Sequence, residues 1–270
     1  MFVHELQQSL LGRFPLSSAE PWDHVGLSAG SPLTEVRKVA IALDATADTV
    51  RAARDAGANV LLTHHPAFIS APSVFTPDHP AYASSGSAVY EAIRLDVSII
   101  SLHTNLDRSV EARKMLPSLM GLSCSSSLEF PSDPSALGLG ALCPVDDWSL
   151  SDFASRAQDA FGTCAQVWGD PDSSVHTAAF LGGSLGDFGE LALNAGANVI
   201  VTGEAGYHRA LDLCVRGLSV ITLGHDRSEQ PFCSILAQAA RDAGVPQEHI
   251  CRITEPAHWW VPAQGGTSWV

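Results

Sequence analysis

The first hydrophobic signal along the chain is helical: Phe2, Val3, Leu6, Leu10 and Leu11 recur at three- and four-residue spacing over residues 2–13, and the Pro15 region then breaks the pattern. Beyond it the period changes. Lys38 to Asp44 (KVAIALD) reads as a buried strand, Ala45 to Ala56 as a helix, and Asn59 to Thr63 (NVLLT) as a second strand that delivers His64 and His65. Ser87 to Leu95 reads as another helix, and Val97 to Leu102 (VSIISL) as a short β-rich run ending at His103.

The second half repeats the first. Ala53 to Thr63 reads ARDAGANVLLT and Ala192 to Thr202 reads ALNAGANVIVT, so the pentapeptide AGANV recurs at positions 56 and 195, with helix before it and strand after it. Ser98 to Leu102 (SIISL) is echoed in the same order by Ser219 to Leu223 (SVITL). These echoes predict an α/β fold of two linked, similar domains built by internal duplication. Their mainly parallel sheets are flanked by helices, and polar chemistry gathers beyond the carboxyl ends of the strands. Ser123 to Ala136 (SCSSSLEFPSDPSA), rich in Ser and Pro, reads as a linker or exposed loop. The expected domains are therefore residues 1–128 plus 219–270, a discontinuous first domain, and residues 129–218.

Composition narrows the function. The 270 residues carry 15 Lys+Arg against 29 Asp+Glu, a net charge of -14, and no Lys/Arg cluster reverses that locally. Such a surface repels phosphate backbones, so no nucleic-acid partner is expected. A hydrophobic share of 46% supplies a core. The six cysteines form no C-x-x-C pair. His4 and Glu5 stand where a secretory signal has its basic region, and no apolar run approaches membrane-spanning length, so a cytoplasmic protein without a membrane partner is expected.

Four of the predicted strands end in histidine or carboxylate. Residues 59–63 lead into His64-His65-Pro66, and residues 97–102 into His103-Thr104-Asn105-Leu106-Asp107. Residues 199–202 lead into Gly203-Glu204 and on to His208, and residues 219–223 into Gly224-His225 and on to Glu229. Imidazole nitrogens and carboxylate oxygens suit borderline divalent metals such as Zn, Mn, Fe, Co or Ni, and a carboxylate can bridge two ions. His225 and Glu229 have i, i+4 spacing and share one side of any helix opening near Gly224. Pro66 keeps His65 out of the helical region, so the chain can turn and aim the two adjacent histidines differently. Each piece also has a plain structural role open to it. Asp107 could cap a helix, and His103 and His208 could be packing or surface residues.

Taken in order, PWDHVGL (Pro21 to Leu27), THHP (Thr63 to Pro66), HTNLD (His103 to Asp107), TGE (Thr202 to Glu204) and GHDRSE (Gly224 to Glu229) resemble the Nif-three-like family, also labelled GTP cyclohydrolase type-2-like or dinuclear metal centre family. The resemblance covers nearly the whole chain. It implies a dinuclear centre of two divalent transition-metal ions (Zn, Fe or Mn) at the strand C-terminal ends between the two domains. The implied ligands are His64, His65, Asp107, His225 and Glu229, with Glu229 as the bridge. It also implies a homo-oligomer, a ring-like hexamer. Two departures stand out. His24 replaces the family's usual Asn and is a further candidate donor, and Arg108 to Leu116 (RSVEARKML) replaces a usual glycine pair.

The leading expectation is a metal-dependent hydrolase or cyclohydrolase acting on a small, nucleotide-like substrate through metal-activated water. Glu204, His103 and His208 are candidates for proton transfer or ligand orientation, with Glu204 favoured. GTP itself is disfavoured, because the chain has no G-x-x-x-x-G-K-[ST] loop and few cations. The alternatives are a non-enzymatic metal-handling protein, for storage, delivery or insertion, and a regulatory scaffold.

Overall fold

The computed structural model describes residues 1–256, 258–263 and 266–268. In chain order the elements are α1 (Val3–Arg13), β1 (Gly26–Ala29), β2 (Val39–Ala42), α2 (Ala47–Asp55), β3 (Val60–Thr63), α3 (Ser84–Leu95), β4 (Ser98–Ser101), α4 (Thr104–Asp107) and α5 (Val110–Leu119). There follow β5 (Ala141–Ser149), α6 (Leu150–Phe161), β6 (Gln166–Trp168), β7 (Ser174–Phe180), α7 (Phe188–Asn194), β8 (Val199–Thr202), α8 (Tyr207–Val215), β9 (Ser219–Thr222), α9 (His225–Glu229) and α10 (Phe232–Asp242). Strand β10 (Ile250–Arg252) comes next, and β11 (Val261–Ala263) pairs antiparallel with β12 (Gly266–Ser268). Among the described residues no helix is long and apolar enough to cross a membrane.

The chain divides into two compact units: Met1–Leu106 with Phe232–Glu255, and Asp107–Pro231 with Pro256–Val270. The first unit holds a five-stranded sheet in the order β1-β4-β3-β2-β10, parallel except for the antiparallel edge strand β1. Strands β2, β3 and β4 are buried throughout, which is why their apolar residues stand side by side rather than alternating with exposed polar ones. Ala40, Leu61 and Ile99 face one side, packed with Val50 and Ala53 of α2 and Val89 and Ala92 of α3. Helices α1 and α10 pack against each other and the sheet.

The second unit holds a five-stranded sheet in the order β5-β7-β8-β9-β6, with β7, β8 and β9 parallel and both edge strands antiparallel. Its core repeats the first unit's nearly residue for residue. Ala192, Ala197, Ile200 and Val220 form one cluster with Ala210 and Leu213 of α8, in the places that Ala53, Ala58, Leu61 and Ile99 hold with Val89 and Ala92 of α3. The two AGANV segments end their helices alike, with Gly57 and Gly196 at φ 78° and 77°, a conformation glycine adopts without steric cost. Both echoed pairs then take the same register: Val60 opposite Ser98, and Val199 opposite Ser219.

Two expectations need correction. The unit boundaries fall at Leu106/Asp107 and Pro231/Phe232, not at 128/129 and 218/219. Strand β9 pairs on both edges within the second sheet, with β8 and β6, so its chain cannot belong to the first domain. Residues 123–136 are not simply an exposed linker. Ser125 donates its N–H to Leu142 O at 2.7 Å, Ser126 bridges Leu142, and Leu128 is fully buried in the second unit's core.

Candidate metal centre

In the first unit the two central strand ends converge on three histidines. At the end of β3, Thr63 Oγ1 donates to His65 O at 2.8 Å and His65 N–H donates to Leu43 O at 2.9 Å, so the backbone stays tied to β2 as the ring positions diverge. His64 is fully buried, its ring centroid 5.2 Å from that of Phe232. At the end of β4, His103 N–H donates to Asn105 Oδ1 at 3.0 Å, and Asn105 Nδ2 donates to Phe14 O at 2.7 Å. His64, His65 and His103 each place one ring nitrogen within 4.8 Å of the others, a group able to hold a metal ion.

Each of these rings is fixed through Nδ1 to an oxygen. His64 Nδ1 lies 3.0 Å from Leu102 O, His65 Nδ1 2.7 Å from Asp44 Oδ1, and His103 Nδ1 2.9 Å from Asp23 Oδ1. A carbonyl or carboxylate oxygen only accepts, so each ring donates through Nδ1 and turns Nε2 away from that anchor, the orientation seen in metal-ligating histidines. The Asp23 side chain is fully buried. Burial pushes its carboxyl up, but hydrogen bonds from His103 and Thr104 outweigh that and hold it at about 2. Behind Asp44, Glu255 accepts Leu43 N–H at 2.6 Å, and burial together with the Asp44 carboxylate pushes the Glu255 carboxyl up.

The second unit gathers a different set. His225 opens α9 with Nδ1 3.1 Å from Glu204 Oε1 and Nε2 3.1 Å from Glu229 Oε2, so the i, i+4 pair does share one side. Glu229 is buried, whereas the Glu204 side chain is 59% exposed. Gly183, at φ 65°, makes room for the pair: a Cβ there would come within 2.4 Å of Glu229 Oε1 and 3.1 Å of His225 Nε2. Its carbonyl accepts the N–H groups of Gly203 and Glu204, which fixes the turn after β8. Asp107, half-buried at the end of α4, begins this unit.

The remaining candidates sit apart from these groups. His24 is exposed and packs its ring 5.2 Å from Phe68, and His208 is exposed on α8 with its ring against Tyr207. Two participants escape the sequence reading. Asp44 lies two residues past the end of β2, a strand end that the same reasoning would reach. Asp23 sits in the PWDHVGL segment, one residue before the histidine singled out there. Gly183 carries no sequence signal for its role.

A family model described as Duf34/NIF3 (NGG1p interacting factor 3) matches residues 1–256. The chain belongs to the Duf34/NIF3 family. Among relatives, it is 30% identical over 241 residues to a protein of Streptomyces coelicolor named GTP cyclohydrolase 1 type 2 homolog, covering 86% of this chain and 83% of that one. A Clostridium acetobutylicum protein of the same name is 28% identical over 233 residues, 85% of each chain. The fold of this Duf34/NIF3 chain is also that of a Bacillus cereus protein related to NIF3, with a TM-score of 0.85 at 21% identity over 97% of this chain and 99% of that one. HcgD from Methanocaldococcus jannaschii shares it with a TM-score of 0.74 at 22% identity, over 93% and 97% of the two chains.

Proposed function

We propose that this chain is a metal-dependent hydrolase or cyclohydrolase of a small, nucleotide-like substrate, working with two divalent transition-metal ions, zinc, iron or manganese. The ligands in this reading are His64, His65, Asp107, His225 and Glu229, with Glu229 as the bridging carboxylate. The observation that carries it is the anchoring of every ligand histidine through Nδ1, to Leu102 O, Asp44 and Glu204, which turns Nε2 outward as a preoriented donor. The donor set fits such ions, since neutral imidazoles and buried carboxylate suit borderline metals, and Gly183 leaves the space beside Glu229 and His225 that a side chain would fill. When bound, the ions would lower the pKa of a water toward 7 and stabilise developing negative charge.

The chain's own residues then orient and move protons. Asp44 holds the His65 ring, and Glu204, on the exposed side of His225, is placed to exchange a proton between His225 Nδ1 and solvent. The relatives' names support a cyclohydrolase chemistry, while the missing phosphate-binding loop argues against a triphosphate held by protein cations alone.

The test is elemental analysis of protein purified without chelators or a metal column, beside the double variant His64→Ala, Glu229→Ala. Near two transition-metal ions per chain, lost in the variant, is the expected result. Phosphoester, amide and cyclic-amidine substrates are then screened, and stoichiometric metal without turnover of any would favour metal handling over hydrolysis. Sub-stoichiometric metal after reconstitution with Zn, Mn or Fe would overturn the reading. We propose the homohexamer as well. Light scattering should give six times the 28.5 kDa chain mass, and a monomer-sized particle would refute it.

A further inference from the structure

We infer that the second unit carries a peptide-docking groove between helix α6 and the free edge of strand β6, which takes an extended, basic segment of a partner protein as a sixth strand of the sheet. The groove stands apart from the metal reading. Strand β6 runs antiparallel to β9, so Gly169 and Pro171 lie at the end of the sheet where β9 begins, and His225 lies past the other end.

The edge is open in the direction that strand addition needs. Among the described residues β6 is the last strand of its sheet and pairs with β9 alone. Along a strand the backbone N–H and C=O groups point to alternate edges. Ser219 and Leu223 donate their N–H groups to Asn198 O and Thr202 O on the β8 side, so Val220 and Thr222 turn toward β6. Their register partners, Trp168 and Gln166, turn back toward them. Val167, between those two, is left with its N–H and C=O on the outer edge. Ala165 agrees with this alternation, because its N–H donates to Gln158 Oε1 of α6 at 3.2 Å rather than to β9. An outer edge of this kind is a template for a further strand.

Beside the edge runs a groove of about 380 Å³. One wall is Leu150, Ala154 and Gln158, a strip at four-residue spacing along α6, and the other is Ala165, Val167 and Gly169, alternate positions of the β6 segment. Gly169 lets the walls converge at one end, since a Cβ there would come within 2.6 Å of Leu150 Cδ2. From Leu150 to Gln158 the helix rises about 12 Å, the length of about four extended residues. The occupant is therefore a four-residue extended core. Its alternate side chains dip between walls of mostly small residues and cover Val167, which is 40% exposed.

Charge selects what lies on either side of that core. Between residues 146 and 174 six aspartates stand against one cation, Arg156, and that guanidinium lies over the Trp148 ring, 4.1 Å from its centroid. Exposed Asp159 adjoins Gln158 of the helical wall, and exposed Asp170 adjoins Gly169 of the strand wall. Lys or Arg flanking the core complements these carboxylates. A second copy of this chain would instead oppose two acidic rims, in a protein whose net charge is already -14.

The experiment titrates the full-length protein by calorimetry with the capped peptide Arg-Arg-Ser-Val-Thr-Val-Arg-Arg, and maps backbone hydrogen exchange with and without it. One peptide per chain is expected, bound more weakly as salt is raised, with slowed exchange concentrated at residues 165–169. The same peptide N-methylated throughout its core keeps the charge but cannot form the ladder, and should bind about tenfold more weakly or not at all. Val167→Pro removes the outward donor at a place where an edge strand tolerates proline, and should weaken binding about tenfold. Should Val167→Pro disturb the strand, Val167→Arg keeps the donor but plugs the groove with a cation, and the same loss is expected. No binding, slowed exchange elsewhere than residues 165–169, or unchanged affinity in Val167→Arg would overturn the groove. Equal affinity for the N-methylated peptide would overturn strand addition, and equal affinity for a peptide with Glu in place of each Arg would overturn the basic occupant. Protection of residues 165–169 that rises with protein concentration in the absence of peptide would make a second copy the occupant and overturn the partner assigned here.

Discussion

The two units share a scaffold and differ at its working end. Asn59 and Asn198, the fourth residues of the repeated AGANV, do the same task. Asn59 accepts Arg37 N–H and donates to Glu35 O, and Asn198 accepts His176 and Thr177 N–H and donates to Ser174 O. One strand later Leu102 donates to Thr63 O as Leu223 does to Thr202 O. Past these matched positions the units diverge. Thr63 is followed by His64 and His65, and Thr202 by Gly203 and Glu204. The first unit ends in one buried and two half-buried imidazoles, each backed by oxygen, the second in one imidazole held between two carboxylates. The strands are constrained by packing and repeat; residues past the last ladder bond are released from that constraint, and there the donor types differ.

The largest break in this comparison comes from forcing one unit's end onto the other. Gly203 occupies the place of His64, and a Cβ there would meet Gly183 O at 2.6 Å, Ser228 Oγ at 2.7 Å and the His225 Cα at 2.8 Å. Gly203→His should therefore destabilise the second unit by about 3 kcal/mol through overpacking, read as a lowered denaturation midpoint. An unchanged midpoint would show that the turn after β8 can yield.

The paired asparagines sharpen the shared part. Asn59 is fully buried and Asn198 half-buried, so removing each leaves backbone groups in places of different solvent access. Asn59→Ala is expected to cost about 2 kcal/mol and Asn198→Ala about 1 kcal/mol by equilibrium denaturation. Equal costs would mean that water does not compensate at the second site.

Much of the scaffold is legible because burial on both faces leaves a plain trace. NVLLT, SIISL and SVITL each carry two or three adjacent or near-adjacent apolar residues between small polar ones, and each proved to be an inner parallel strand. AGANV is readable as a repeat because its glycine and asparagine serve backbone needs that recur with the fold. Edge strands leave no such trace. Residues Gln166–Trp168 of β6 are largely exposed, with neither period nor composition to announce them. Leu128 looks like linker because Ser and Pro surround it, yet its burial comes from packing against β5, β7 and α7 neighbours. The donor side chains His64, His103, His225 and Glu229 were visible as strand-end residues. Asp23 was not, because its importance lies in a hydrogen bond to a residue 80 positions away and in its burial, neither of which is local.

Acid should separate the units more gently. In the second, Glu129 forms a two-pronged pair with Arg108, both contacts at 3.1 Å, and accepts Leu139 N–H at 3.0 Å. Burial pushes its carboxyl up, but these partners outweigh it and hold it below the ordinary 4.5. A depressed folded value means the pair's stabilisation is complete above the unfolded value and is lost as pH falls through the folded one. In the first unit Asp78 is likewise held down, by Ser87 and Arg51, but its side chain is 53% exposed, where solvent screens the pair. Below pH 4.5 the second unit should lose stability to this pair more steeply. Glu129→Gln should flatten that slope and Asp78→Asn should barely change it, both read from denaturation at a series of pH values. Equal flattening by the two variants would refute the role given to burial.

The least invasive test needs no substitution, because each unit carries its own buried thiol. Cys233 lies on α10 in the first and Cys143 on β5 in the second, and burial pushes both up to about 12. At pH 8 only about one in 10,000 of such thiols is ionised, and neither is open to a reagent until its surroundings part. Exposed Cys164 should therefore label first in the native protein, with Cys143 and Cys233 silent. Pulsed labelling across a denaturant series, read by peptide mass spectrometry, then reports each unit by itself. If the divergent ends make the units unequal in stability, Cys143 and Cys233 will become reactive at different denaturant concentrations. Coincident curves would mean that the two scaffolds unfold as one, and that the difference at their ends costs neither of them anything.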